Sequence, residues 1–149
     1  MRSTKTVADS RTEMIQIVLP MYVNSNFRLF GGQLMQWIDV VAAAVARRHS
    51  GCKVTTASVE QLDFQAPAEL DDMVLLQGRI TYAGNTSMEV CVDTYVESLG
   101  GERKQVNRAL LTLVALDQMN KPTPVPLLLP ETDAERADYE AGRARRSAR

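Results

Sequence analysis

A single histidine, His49, and two cysteines, Cys52 and Cys91, are all that 149 residues offer of the usual nucleophile-and-base chemistry. With one imidazole, no Ser–His or Cys–His pair can stand anywhere except around residue 49. Neither cysteine lies in a CxxC or has a histidine at metal-ligand spacing, so two free thiols in a reducing compartment are expected, and no metal. Aromatic residues make up only 5% of the chain. That leaves little to stack single-stranded nucleic acid on. The net charge of −1 excludes capture of nucleic acid or a membrane surface by bulk electrostatics. No apolar run approaches the ~20 residues a membrane span needs. The opening MRSTKTVADS has no apolar centre and is no signal peptide. A cytoplasmic location is therefore expected. Gly31-Gly32 lacks the GxxxxGK pattern of a phosphate loop.

What is present fits one globular domain: 45% hydrophobic and 23% charged residues over a length that can bury a core without staples. Three regions are expected: a flexible start (1–11), a folded domain (12–130) and a charged tail (131–149). The tail is acidic first and basic last, and its composition predicts a solvated or disordered end. Arg143, Arg145, Arg146 and Arg149 give it a weak capacity to attract phosphate.

One helix signal dominates. From about Gly32 to His49, Leu34, Ile38, Val41 and Val45 recur at helical spacing, backed by Ala42, Ala43, Ala44 and Ala46. Arg47, Arg48 and His49 suit the negative end of the helix dipole, and His49 reads as a cap before Gly51. A short strand, Thr12 to Leu19, precedes the helix, with an irregular stretch from Met21 to Phe30 between them. Four strands follow it: Val54–Phe64, Met73–Tyr82, Thr86–Ser98 and Arg103–Asp117. In the third, Met88, Val90, Val92, Thr94 and Val96 face one way, with Glu89, Cys91, Asp93, Tyr95 and Glu97 opposite. Pro122, Pro124, Pro126 and Pro130 are expected to end regular structure. Short turns make antiparallel neighbours, and a long sheet must wrap a single apolar helix to bury it. The layout is α+β: one long central helix in a five- to six-stranded antiparallel sheet.

Two features ask for more than packing. Gly31-Gly32 opens the helix, though glycine inside a helix costs about 1 kcal/mol. The pair is either a tight opening turn or a place where a ligand oxygen reaches backbone N–H groups at the positive end of the dipole. Asp39 sits beside the apolar stripe. It is either a structural hydrogen-bonding or ion-pairing group or a general base.

The segments NSNFRLFGGQLMQWIDVVAAAVARRHS, VTTASVEQLDFQAPAELDD, YAGNTSMEV and TLVALDQMNKPTPVP, in that order, resemble the acyl-CoA thioesterases of the hot-dog superfamily over roughly Leu19 to Glu131. The resemblance implies a hot-dog fold and hydrolysis of fatty acyl-CoA to fatty acid and CoA. Coenzyme A would then be part of the substrate, with no separate cofactor. It implies that Asp39 is the catalytic carboxylate, as general base or nucleophile. Gly31, with Gly32 beside it, would bind the thioester oxygen through its N–H. Asn24 would help hold the thioester or the water, and Thr56 would orient the water or the carboxylate. The turn Gly84-Asn85-Thr86-Ser87 would lie near the CoA arm; as residues alone it is a hairpin. Arg103 could meet a phosphate or be a solvated strand end. Where some relatives carry HGG, this chain has Phe30-Gly31-Gly32, which argues against histidine-dependent dehydratase chemistry. A homo-oligomer, dimer at least and trimer of dimers by resemblance, is expected.

Helical geometry adds a constraint. Gly31 and Asp39 lie eight residues apart, ~12 Å along one helix. An oxyanion donor and a base must both reach the same carbonyl carbon. Each site should therefore combine Asn24 and Gly31 of one subunit with Asp39 and Thr56 of another. The rival expectation is an acyl-CoA sensor on the same fold, which would not need the carboxylate.

Overall fold

The structure, a computed structural model, describes residues 2–148. Along the chain run β1 (Thr4–Thr6), β2 (Thr12–Ile17), α1 (Gly31–Ser50), β3 (Lys53–Phe64), β4 (Met73–Ala83), β5 (Ser87–Glu97), β6 (Arg103–Leu116), β7 (Leu127–Leu129) and α2 (Asp133–Ser147). Five of the strands form one antiparallel sheet in the order β2-β4-β5-β6-β3. That sheet wraps α1, as the α+β expectation required.

The apolar stripe of α1 buries Leu34, Ile38, Val41 and Val45 against the inner faces of β4, β5 and β6. Met88, Val90 and Val92 meet it from β5, so the alternation read from that strand has the right face inward. Gly78 sets how closely helix and sheet approach: a Cβ there would stand 2.6 Å from Val41 Cγ1. Gly51 closes the helix in the left-handed region at φ 69°, its N–H bonded to the Arg47 carbonyl at 2.8 Å. His49 is not the cap. Its buried ring donates from Nε2 to the Pro126 carbonyl at 2.8 Å, tying the helix end to the later chain. Burial lowers its pKa, outweighing the Pro126 carbonyl's pull upward.

Three expectations are corrected. Residues 4–6 are not frayed, because β1 pairs in parallel with β7. That pairing also places a strand inside the proline-rich stretch, where regular structure was expected to have ended. The tail is not a solvated coil. Its residues 133–147 form α2, capped by Thr132 Oγ1 accepting from the Glu135 N–H at 3.1 Å. The helix lies on the outer face of the sheet. Arg145 grips Glu89 with two bonds of 2.9 and 2.7 Å. Arg79 bridges Asp138 and Asp93 at 2.9 Å each, and Arg108 also holds Asp93 through two bonds. Burial pushes the Asp93 carboxyl up, but Arg108 and Arg79 together hold it below the usual carboxylate value. Far from waiting for a phosphate, Arg145 is engaged with Glu89, and Arg143 pairs with Glu140 at 2.9 Å.

Candidate active site

Asp39 sits half-buried on the flank of α1 that turns toward β3. Thr56, on β3, donates its hydroxyl hydrogen to Asp39 Oδ1 at 2.6 Å. A short bond to a carboxylate is strong and directional. It fixes the carboxylate's rotation while the threonine itself stays exposed. In one chain this pair is open on the side away from the core, so a dry site needs a second surface.

The other half of the expected constellation lies at the start of α1. Asn24 Oδ1 accepts from the Asn26 and Arg28 N–H groups at 2.9 and 3.2 Å. This side-chain turn shapes the loop and leaves the Nδ2 amide as the part able to donate. The loop is pinned to the helix start by Phe30 N–H to the Tyr22 carbonyl at 2.8 Å. Tyr22 itself packs edge-on against Trp37 with ring centroids 5.1 Å apart. Phe30 stands at the N-cap and offers no side-chain cap, and no acid occupies the first turn. The first N–H groups of α1, those of Gly31 and Gly32, therefore open a 20-residue helix without a capping partner. Both glycines are exposed. A Cβ on Gly31 would find only the tip of Phe64, at 4.0 Å, whereas one on Gly32 would press on the Phe30 ring at 2.7 Å.

The structure thus brings Asp39 to Thr56 and sets Gly31 and Gly32 at the helix start that the Asn24 loop leads into, but keeps the two groups at opposite ends of half a helix. Strand β3 connects them: Thr56 near its start meets Asp39, and Phe64 at its end meets Gly31. This strand is the sheet's outermost on that side, and among the described residues no strand pairs with its free edge. Its register shifts twice, between Thr56 and Ser58 and between Val59 and Gln61. Exposed apolar side chains surround it: Phe30, Val40, Val59 and Phe64, each 42 to 59% exposed.

The expected CoA contacts are more scattered. Gly84, Asn85, Thr86 and Ser87 form the β4–β5 hairpin, where Gly84 N–H donates to the Ser87 carbonyl at 2.8 Å. The Thr86 and Asn85 carbonyls accept from the Ala115 and Val125 N–H groups. Arg103 pairs with Glu97 at 2.9 Å. It starts β6, whereas Thr56 is in register with Leu113, ten residues on and ~33 Å away along the strand. One chain does not bring Arg103 to Asp39. Cys91 lies under α2, and burial pushes its thiol up to about 11, which keeps it protonated and unreactive.

A single apolar helix wrapped by one antiparallel sheet, with a carboxylate at mid-helix and an uncapped glycine start, defines the hot-dog class. The thioesterase superfamily model matches residues 28–101. An acyl-CoA thioester hydrolase of Bacillus subtilis is 40% identical over 89% of this chain and 77% of its own length. A solved hexameric acyl-CoA thioesterase superposes with a TM-score of 0.94 at 38% identity, covering 98% of this chain and 94% of that one. The acyl-CoA hydrolase of Staphylococcus aureus, solved with butyryl-CoA, CoA and CoA disulfide, gives 0.92 at 34% identity over 97% and 91%. This chain belongs to the thioesterase superfamily, among its hot-dog acyl-CoA thioester hydrolases. It spans only 24% and 38% of the mouse and rat acyl-CoA thioesterases that it also matches. The S. aureus enzyme has further been solved with an aspartate, an asparagine and a threonine singly replaced by alanine. Those three are separated by fifteen and seventeen positions, as are Asn24, Asp39 and Thr56.

Proposed function

We propose that this protein hydrolyses fatty acyl-CoA thioesters in the cytoplasm, at sites that two copies of the chain build together. The carrying observation is the placement of Asp39–Thr56 and Gly31–Phe64 at two ends of one unpaired edge strand. Antiparallel pairing of β3 with a second copy, about a twofold axis near Glu60, would set Thr56 opposite Phe64 of the partner subunit. Asp39 would then face Gly31 of the partner subunit, and the ~12 Å that separates them within a chain ceases to matter. The same pairing would cover Phe30, Val40, Val59 and Phe64, whose exposure is otherwise costly for a soluble surface. Solved relatives from Yersinia pestis and elsewhere are hexameric, which fits a trimer of such dimers.

In this reading Thr56 holds the Asp39 carboxylate toward a water molecule. Asp39 takes a proton as the water attacks the thioester carbonyl, and charge gathers on the carbonyl oxygen. The Gly31 N–H, at the positive end of α1, receives that oxygen, with Asn24 Nδ2 beside it. Collapse of the tetrahedral species breaks the C–S bond, and CoA leaves as thiolate. A sensor built on this fold would gain nothing from a carboxylate held at the thioester.

The test is complementation. Asp39→Ala subunits and Gly31→Val subunits, each inactive alone, are co-refolded, and thiol release from acyl-CoA is measured. A mixed dimer keeps one intact site, so about a quarter of wild-type activity per dimer is expected from half the dimers carrying one of two sites. Mixtures as dead as their components would end the shared-site reading. A wild-type protein that binds acyl-CoA but releases no thiol would end the hydrolase reading.

A further inference from the structure

Five buried side-chain atoms find no hydrogen-bond partner among the described residues, and three of them stand together. They are Thr94 Oγ1, Asn107 Oδ1 and Asn107 Nδ2, on residues directly opposite each other in β5 and β6. Both side chains are fully buried. A buried carboxamide or hydroxyl without a partner keeps the whole cost of leaving water, whereas apolar side chains of the same shape carry none. Packing alone does not account for the pair.

Their place in the sheet joins them to the site. Directly opposite residues point to one face, and neighbouring strands lie ~4.8 Å apart. Leu76, Thr94, Asn107 and Phe64 thus form a single row across β4, β5, β6 and β3, on the side that meets α1. Phe64 ends the row at the start of the helix, where a Cβ on Gly31 would stand 4.0 Å from its Cζ. Asn107 is therefore one strand spacing inward from the residue beside the oxyanion donor, and Thr94 two, ~5 and ~10 Å. The next row, Val92, Ala109 and Leu62, is apolar. An acyl chain whose carbonyl rests on the Gly31 N–H needs Phe64 to turn aside before it can run along this row. That ring is 57% exposed and turns without disturbing the core.

We infer that Asn107 and Thr94 select thioesters whose acyl chain carries a hydroxyl. The inference rests on the hydrolase reading and names its substrate class. A hydroxyl both donates and accepts, which the amide oxygen, the amide nitrogen and the threonine hydroxyl answer together. A carboxylate on the chain is disfavoured, because no cation stands in either row to offset a buried charge. An unsubstituted chain leaves the pair unmet. A site built to bond a hydroxyl discriminates strongly against the analogue that lacks it.

Thiol release from octanoyl-CoA and from its singly hydroxylated isomers tests this. At least one isomer is expected to exceed octanoyl-CoA in kcat/KM about tenfold or more, and equal values across the panel overturn the assignment. Asn107→Leu and Thr94→Val keep the shapes and remove the polar atoms. In variants whose melts show a folded protein, the ratio of the best isomer to octanoyl-CoA is expected to fall about tenfold. A ratio kept at the wild-type value means that the pair holds no more than an internal water, and overturns the selection. Should neither variant fold, the wild-type panel decides alone. A wild-type protein that cleaves none of these thioesters overturns the hydrolase reading instead. Calorimetric Kd values for the same panel then decide the pair: about tenfold tighter for one isomer supports it, and equal values end it.

Discussion

Thr56 reaches from the edge strand to the middle of the central helix and donates its hydroxyl hydrogen to Asp39 Oδ1 across 2.6 Å. The bond joins the two elements that the proposed dimer contact would cover. Asp39→Asn keeps the shape of the side chain and removes the base. Turnover is expected to fall by about 10² to 10⁴ with little change in melting temperature. Thr56→Ala, which leaves the carboxylate to rotate, is expected to cost less, about tenfold in kcat, and Thr56→Ser to restore most of it. Equal losses from Asp39→Asn and Thr56→Ser would sink the positioning role.

Gly31 gives a separation of stability from activity. Its Cβ would meet nothing closer than Phe64 Cζ at 4.0 Å, so Gly31→Ala fits the fold. Stability should hold or rise by up to about 1 kcal/mol, since alanine is the better helix residue. Activity should nonetheless drop, because the methyl group stands where the thioester oxygen approaches the N–H. Thermal melts and initial rates on the same preparation decide it; a fully active Gly31→Ala removes the oxyanion role.

On the outer face, Gly142 is buried where α2 crosses Tyr82. A Cβ there would stand 2.7 Å from Tyr82 Cβ and 3.0 Å from Glu89 Oε1. Neither neighbour is the far end of an unconstrained side chain, as Glu89 is clasped by Arg145. Gly142→Ala should therefore cost about 1–3 kcal/mol as an overpacking substitution. Hydrogen exchange is expected to quicken in α2 before the rest of the chain. Uniform exchange would show that α2 does not open independently.

Acid should destabilise the fold in two separate windows. His49 has a folded pKa below the unfolded ~6.5 because its ring is buried. The unfolded chain thus takes up the proton first, and the stability is full above about pH 6.5 and declines as pH falls toward the folded value. Asp93 is held low by Arg108 and Arg79 against its burial. Its contribution is complete above the unfolded value of ~3.9 and is lost as pH falls through the lower folded one. Melting temperatures from pH 7.5 to 3 should show both declines. His49→Gln, which can still donate to Pro126, should flatten the upper one alone.

Much of the fold was legible because its signals are local. The helix read as Gly32 to His49 is Gly31–Ser50, and the four strands after it fall within a residue of expectation at each end. Period alone revealed these, since α1 buries one regular stripe and β5 alternates apolar with mostly polar side chains, though α2 covers its second face too. What stayed hidden depends on distant partners. Thr4–Thr6 is a strand only because Leu127–Leu129 lies beside it. Helix α2 is too rich in charge and too poor in large apolar residues to announce itself; its grip comes from Arg145 on Glu89, Asp138 on Arg79 and Tyr139 against Tyr82, pairs that sequence spacing does not reveal. One signal was available: Thr132 followed three places later by Glu135 is a capping pattern. At the site, the helical rise already kept Gly31 and Asp39 of one chain ~12 Å apart, the separation on which the proposed shared site rests. That Thr56 and Phe64 would mark the two halves on one strand needed the coordinates.

The clasp of Arg145 on Glu89 bears on how the chain matures. Glu89 is sunk into the third long strand of the sheet, yet the guanidinium that grips it comes from α2, 56 residues further along the chain. During synthesis, sheet and core can assemble while that carboxylate still lacks its arginine. The outer face would therefore stiffen after the core, and Arg145→Ala should yield a chain that collapses readily but never fully tightens.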